Sequence, residues 1–470
     1  MDKKENKFKN FDDSVKTNKS FIGGISSLID RITIFDSMST AIKNCHKKLH
    51  RSFEPLISSV NHVFKPVIDF KHQVIDKSVI YRMFSNSLRK YSMFYVAFLI
   101  LLIFLILTQG AILSPNNFTN IILGQYTYIY FLAFGMLLVI VSGNIDLSVG
   151  SLMGFFATLT GWILTLTGNG FVSVISVIAI GILIGFFHGF LIGYLRIPSF
   201  IVTLGGLLLY AGLQKYILSE AAESFNFTIP ASSSFVQAIN NSIFDYQVGE
   251  SLWIVALLIF VVLAIILVLL SYHTRIINKR YNLLNPPLWM FITTNAFKVI
   301  FTLVIGILIS LSNFGLRWKI IYLIVGLVLF IFITKKTVFG RNVYSIGGNR
   351  KAAELSGINA RKTTLYVFVI MAVLVALASF LYLGSFLSVT GETGLGDELN
   401  AISSVFIGGA SAYGGIGTVV NTFLGSIILT IIDSGFNNLS VQNNLRFIIK
   451  GIILILAVAL DVISSKKRQI

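Results

Sequence analysis

Ile140-Val-Ser-Gly-Asn-Ile-Asp-Leu-Ser-Val-Gly-Ser-Leu-Met-Gly154 is a polar, glycine-punctuated link inside a much longer apolar tract. From Tyr91 to Leu195 the chain has no Lys, Arg or Glu, and Asp146 is its one carboxylate. A membrane span takes about 20 apolar residues, so a tract of this length is several spans laid end to end. An ionisable group in such a tract costs roughly 2.5–3.5 kcal/mol on insertion and tends to face a packed or watery interior. The chain therefore reads as an integral membrane protein with polar groups built into its core.

Outward from that link, apolar runs fall at 92–112, 126–142, 147–166, 172–195, 200–218, 251–271, 290–311, 319–334, 363–387, 399–412, 416–434 and 447–462. They predict an all-α, polytopic membrane protein with about 10–12 transmembrane helices, some of them short or re-entrant. Residues 1–90 are polar and of mixed charge, a cytoplasmic extension whose apolar patches suit amphipathic helices on an anionic leaflet or a loosely ordered tail. The membrane domain spans 91–463, with a cytoplasmic loop at 335–362 and a short tail at 464–470.

The charge pattern sets the topology. Of 470 residues, 55% are hydrophobic, and the formal net charge is +17. Basic residues crowd the first 90 positions, Arg275–Arg280, Lys335–Lys362 and Lys466-Lys467-Arg468, with Arg196 between two runs. Starting with residues 1–90 inside, every one of these groups falls on the cytoplasmic side, as basic loops do. Both termini are then cytoplasmic, in a multi-pass protein of the plasma membrane. Scattered basic loops do not make the single basic face that a nucleic acid needs. Cys45 is the only cysteine, so no internal disulfide forms, and no metal-ligand cluster is visible. The Lys/Asn-rich start carries no early apolar stretch of the signal-peptide kind. Trp253, Trp289 and Trp318 open spans, where an indole ring favours the headgroup level.

A weak repeat divides the membrane domain into two halves. Ile407-Gly-Gly-Ala-Ser-Ala-Tyr-Gly-Gly-Ile-Gly417, continuing to Gly425, interrupts its apolar surroundings much as Ile140–Gly154 does. Paired interruptions in the two halves of a transporter commonly mark its pathway. Asn144, Asp146 and Ser148 in the first link, and Gly408, Gly409 and Asp433 in the second half, are the candidate pathway or gating residues. Asp146 ahead of Ser148 is equally the pattern of a capped helix start, so capping and solute passage both remain open. Gly408–Gly417 lacks the Lys-Ser/Thr of a phosphate loop and lies at a span, which favours close helix packing. His188 reads as a satisfied interior histidine. Asp397 and Glu398 suit a helix N-terminus on the outer side or contact with an external protein. Arg446 and Lys450 are candidate partners for Asp433.

Between basic flanks, Asn349 is a candidate N-cap, Arg350–Ser356 would make two helical turns, and Gly357 suits a left-handed C-cap. A helix this short needs a docking surface. It would present Ala352, Ala353, Glu354 and Leu355 to a partner.

These segments resemble the permease subunit of ATP-binding-cassette monosaccharide importers of the ribose and xylose type. The resemblance rests on Gly143–Gly150, Ile197–Gly206, Tyr344–Asn359, Glu398–Gly417 and Lys450–Asp461, in family order. It implies a translocation subunit for a pentose or another aldose. Arg275–Lys336 adds two spans that ribose-type permeases lack, as in xylose-type permeases. The long N-terminal region and Asn144, where Gly or Glu is more usual, depart from the family pattern. The implied partners are a cytoplasmic ATP-binding subunit docking on 340–359, an extracytoplasmic sugar-binding protein, a second permease copy and the membrane lipid. ATP would be bound by the partner, leaving this chain without cofactor or catalytic residues. Other classes remain to be tested: a permease for nucleosides or other small polar solutes, a secondary transporter coupled to protons through Asp146, and an intramembrane enzyme. The last would want a paired nucleophile and base within the spans, and none is visible.

Overall fold

Every one of the apolar runs becomes a helix. A computed structural model describes residues 92–222, 228–229, 233–243, 253–281 and 285–466, so the predicted extension 1–90 lies outside the described residues, as does most of the tail. The helices are α1 (Ser92–Leu107), α2 (Thr127–Val141), α3 (Val149–Thr167), α4 (Gly170–Gly193), α5 (Ser199–Ala222), α6 (Ser234–Asn240), α7 (Ile254–Arg280) and α8 (Leu288–Ser310). They continue as α9 (Trp318–Lys336), α10 (Val338–Gly348), α11 (Arg350–Leu355), α12 (Ala360–Phe386), α13 (Asp397–Ile407), α14 (Val419–Asn438) and α15 (Asn443–Lys466). Strand pairing among the described residues is limited to two isolated bridges, Thr228 with Ser388 and Ser242 with Arg317.

Eight of these helices are long and apolar enough to cross a membrane. A π-helical stretch, Asn117–Gln125, joins α2 at a 40° bend and makes a ninth candidate. The sequence had placed no helix at this stretch. The other predicted segments are shorter or less apolar. At 11 residues, α13 rises only about 16 Å, which is half a bilayer core and fits the re-entrant alternative.

Helix α2 is the axis of the fold, with every residue buried. A helix apolar all round is what such a position requires, since no face meets water. Around it stand α12, α13, α14 and α9. The tightest of the other contacts joins α4 to α12. Gly181, Gly185, Gly189 and Gly193 recur every four residues and so share one face of α4. A Cβ at Gly185 would come within 2.6 Å of the α12 backbone at Val369, and one at Gly189 within 2.7 Å of Leu365. Backbone-to-backbone approach of this kind replaces the hydrophobic drive that is missing between helices in lipid. The opposite faces of α4 and α5 turn Leu183 and Leu208 outward.

Helices α7 and α8 form a peripheral hairpin. Trp253, Phe260, Ile309, Leu316 and Ile320 make a satellite cluster that ties one end of it to the start of α9. Trp253 departs from its expected place at the headgroup level: it is buried, and its Nε1 donates to the Ser312 carbonyl at 3.0 Å. Trp289 and Trp318 remain exposed.

Candidate functional site

The two interruptions are the same local structure. Helix α2 ends with Gly143 left-handed at φ +81°, and α13 ends with Gly409 at φ +78°. At the first, Asn144 N–H donates to the Val139 carbonyl and Gly143 N–H to Ile140; at the second, Ala410 donates to Val405 and Gly409 to Phe406. Both are the paired 6→1 and 5→2 bonds of a helix C-terminus that needs glycine just past its cap. The weak sequence repeat is thus a repeat of two helix ends.

These two ends meet further glycines. Gly415 N–H donates to the Val141 carbonyl at 2.9 Å. Gly347, at the end of α10, lies so close to the Val141 carbonyl and to Gly415 that a Cβ there has no room. Tyr344 of α10 donates its hydroxyl to the Gly417 carbonyl at 2.8 Å. Helix α10 therefore rests on both hinges at once.

Downstream of Gly143, Asp146 is buried and its Oδ1 accepts from the Ser148 N–H at 2.8 Å and the Ser148 hydroxyl at 2.6 Å. The carboxylate thereby makes an Asx-type turn onto Ser148, the N-cap residue of α3, whose own side chain makes no capping bond. Gly408 lies against Asn421 and Thr422 of α14, which agrees with close helix packing.

The short helix α11 is built as its residues imply. Asn349 accepts from the Ala352 N–H at 3.0 Å. Gly357, at φ +85°, closes the other end, with Ile358 N–H donating to Ala353 and Gly357 N–H to Glu354. Leu355 is 90% exposed, whereas Ala353 is buried with Ile346, Ile358 and Ala360. Ala353 is therefore the anchor of this helix and not part of its presented face, a correction to the sequence expectation. Arg350 pairs with Glu354 at 3.3 Å. Asn144, Arg196, Arg350, Lys351 and Glu354 share one notch, so α11 and the first hinge lie at the same end of the fold. Lys335, Arg341 and Gly417 line an adjoining notch, and we call this the basic end.

Toward the other end lies a cavity of about 380 Å³. Its wall is made by α13, α14, α15 and the start of α2, and includes Tyr126, Tyr128, Asp397, Asn400, Asp433 and Lys450. Lys450 Nζ meets Asp433 Oδ1 at 2.6 Å and donates to Asn400 at 3.2 Å. Asn400 in turn donates to Asp397 at 2.9 Å, and the Tyr128 hydroxyl to the same carboxylate at 3.4 Å. Arg446 lies beside this network without pairing to Asp433: it donates to Asn437 and to the Val441 and Phe436 carbonyls. Asp397 and Glu398 are both buried, and Asp397 lines the cavity. Their place at the first turn of α13 suits the helix dipole.

The site residues thus fall in two groups, hinges with α11 at one end and Asp433 in the cavity. Tyr126, Tyr128 and Asn400 were missed, because an isolated Tyr or Asn in an apolar run gives no signal of a shared cavity. His188 is buried and bonded to the Tyr210 hydroxyl at 2.9 Å, as a satisfied interior histidine should be. Among the described residues no group of three or more His, Cys, Asp and Glu is placed to hold a metal ion.

The model of the family described as "Branched-chain amino acid transport system / permease component" matches residues 118–276 and 255–458. The chain is 34% identical over 393 residues to the xylose transport system permease protein of Haemophilus influenzae, covering 82% of this chain and all of the relative. It is 32% identical to the xylose transport system permease protein of Escherichia coli K12 over 82% of this chain and 94% of that one. The ribose import permease protein of the same strain is 28% identical over 74% of this chain and 88% of its own length. No solved structure matches.

Proposed function

Since this chain belongs to the branched-chain amino acid transport system permease family, among the sugar permeases within it, we propose that it is the translocation subunit of an ATP-driven importer of a monosaccharide. The cavity is the observation that carries the reading furthest. At about 380 Å³ it is at the small end of ligand pockets, which run from about 300 to 1,000 Å³. Its two tyrosines offer ring faces and its Asp, Asn and Lys groups offer both donors and acceptors, the chemistry that suits a polyhydroxy solute.

In this reading the basic end faces the cytoplasm, the compartment that also holds both termini. A separate ATP-binding subunit docks on α11 through exposed Leu355, Ala352 and Glu354. Its movements pass from α11 into α10, and from Gly347 and Tyr344 into both hinges. Helices α2 and α13, which end at those hinges, carry Tyr128 and the Asp397–Asn400 pair at the cavity. An extracytoplasmic sugar-binding protein delivers solute at the cavity end, and a second permease copy completes the membrane unit. The chain itself holds no cofactor, and ATP stays with the partner. The xylose relatives favour a pentose over a nucleoside.

The test is uptake of labelled xylose into proteoliposomes holding this chain with its ATPase and binding protein. ATP-dependent uptake is expected, lost in Leu355→Asp while the membrane domain stays folded. Asp433→Asn should lower uptake by at least about tenfold, since it leaves the Lys450 ammonium half-buried without its counter-ion. Uptake driven by a proton gradient in the absence of ATP would put the secondary-transporter reading in its place.

A further inference from the structure

A second pocket, of about 770 Å³, lies where α6, the π-helical stretch and the start of α9 meet the α7–α8 hairpin. It is separate from the sugar cavity and the hinges, and its charge is one-sided. Arg317 and Lys319 line it, and no carboxylate among the described residues does. Lys319 is 3% exposed, yet its ammonium has no hydrogen bond or ion pair among the described residues. The Arg317 guanidinium sits 3.7 Å above the Phe314 ring, with its buried Nε unpartnered. The Ser385 hydroxyl, which also lines the pocket, is buried without a partner.

Buried cations are normally paired, because an ammonium taken out of water without a counter-charge is strongly disfavoured. Here a buried lysine and a half-buried arginine face one cavity and define a place for an anion. A guanidinium fork beside a point-charge ammonium suits the several oxygens of a phosphate. The surroundings fit the same chemistry. The hairpin holds to the bundle at this end through the Trp253 and Phe260 cluster, while Val262 and Leu269 of α7 and Val325 and Leu329 of α9 are exposed and apolar.

We propose that this pocket binds a phosphate-bearing anion, held by Lys319 and Arg317 with the Ser385 hydroxyl as a further donor. Such a ligand would tie the peripheral hairpin to the bundle. Two sources share the chemistry, the phosphodiester of an anionic lipid and free phosphate.

The experiment uses the full chain, purified in detergent, stripped of lipid and examined by native mass spectrometry. Phosphatidylglycerol and a diacylglycerol are added in parallel, and inorganic phosphate is titrated separately by calorimetry. Retention of phosphatidylglycerol over diacylglycerol identifies the lipid as the source, and saturable phosphate binding alone identifies the free anion. In either case Lys319→Met and Arg317→Gln should each weaken binding by about tenfold or more. Lys298→Met removes another lysine of the added segment, one already bonded to Ser271 at 2.9 Å, and should leave binding unchanged. Wild-type protein that binds neither probe more tightly than Lys319→Met overturns the proposal. So does equal loss in Lys298→Met. Should Lys319→Met misfold, Lys319→Gln carries the same test.

Discussion

The two hinges share a helix ending and differ in what surrounds it. At Gly143 a Cβ would find nothing within 4 Å, so only the left-handed backbone demands glycine. At Gly414, in the second hinge, φ is +86° and a Cβ would come 2.9 Å from the Gly347 carbonyl oxygen and 3.2 Å from the Gly143 backbone. The first hinge also carries an acid that organises the next helix from within. The second has none, and α14 starts instead on the Thr418 side chain, which accepts from the Asn421 N–H at 3.2 Å. Both hinges carry α10, but only in the second does the left-handed glycine itself, Gly414, lie against it. A signal arriving through α10 should therefore reach the first hinge through the Val141 carbonyl and the second through Gly414 and Gly415.

Gly347→Ala should break that comparison most completely. Backbone lies on both sides of the new methyl, so neither neighbour can rotate away. The cost should reach about 3 kcal/mol, the upper range for overpacking, and α10 should lift from both hinges. A drop in melting temperature with loss of ATP-coupled uptake is expected. Full activity would remove α10 from the coupling route.

The next test separates the hinges. Gly143→Ala and Gly414→Ala share the left-handed penalty of roughly 1–2 kcal/mol. Only the second also crowds Gly347 and Gly143, adding about 1 kcal/mol or more. Equal melting temperatures would mean that the second hinge has room to relax and that its contact with α10 is loose.

Much of this architecture was legible in the sequence, and the losses have definite causes. The helices were visible because apolar length alone marks a span, and the termini of α11 because Asn349 and Gly357 are local signals. The repeat was visible as glycine spacing, but its meaning, two identical helix ends, needed backbone angles. The α4 glycines at 181, 185, 189 and 193 were a readable four-residue period, passed over because the run looked simply hydrophobic. The π-helical stretch was hidden because polar Asn116, Asn117, Thr119 and Asn120 break the apolar run that marks a span. Asn117 in fact accepts from Ser434 at 2.9 Å, a partner 317 positions away. The cavity escaped for the same reason: Tyr128, Asp397, Asn400 and Lys450 come from three separate helices, and no spacing along the chain encodes their meeting. Only the Asp433–Lys450 pair was within reach, because both are charges in otherwise apolar runs.

The smallest expected effects discriminate most finely, because they concern how each hinge starts its following helix. Thr418 is an exposed cap, so Thr418→Ala should cost about 1 kcal/mol or less. Asp146→Ala leaves the buried Ser148 N–H and hydroxyl without their acceptor, about 1–3 kcal/mol. Asp146→Asn keeps the Oδ1 acceptor and removes only the charge and the ability to carry a proton. If Asp146 works as a cap, Asn should restore most of the stability and uptake that Ala loses, and the pH dependence of uptake should match wild type. If the carboxylate couples transport to protons, Asn and Ala should fail alike, with uptake no longer responding to a pH gradient. The outcome decides whether the first hinge is purely a structural element, as its two bonds to Ser148 indicate, or the point at which the two transport mechanisms divide.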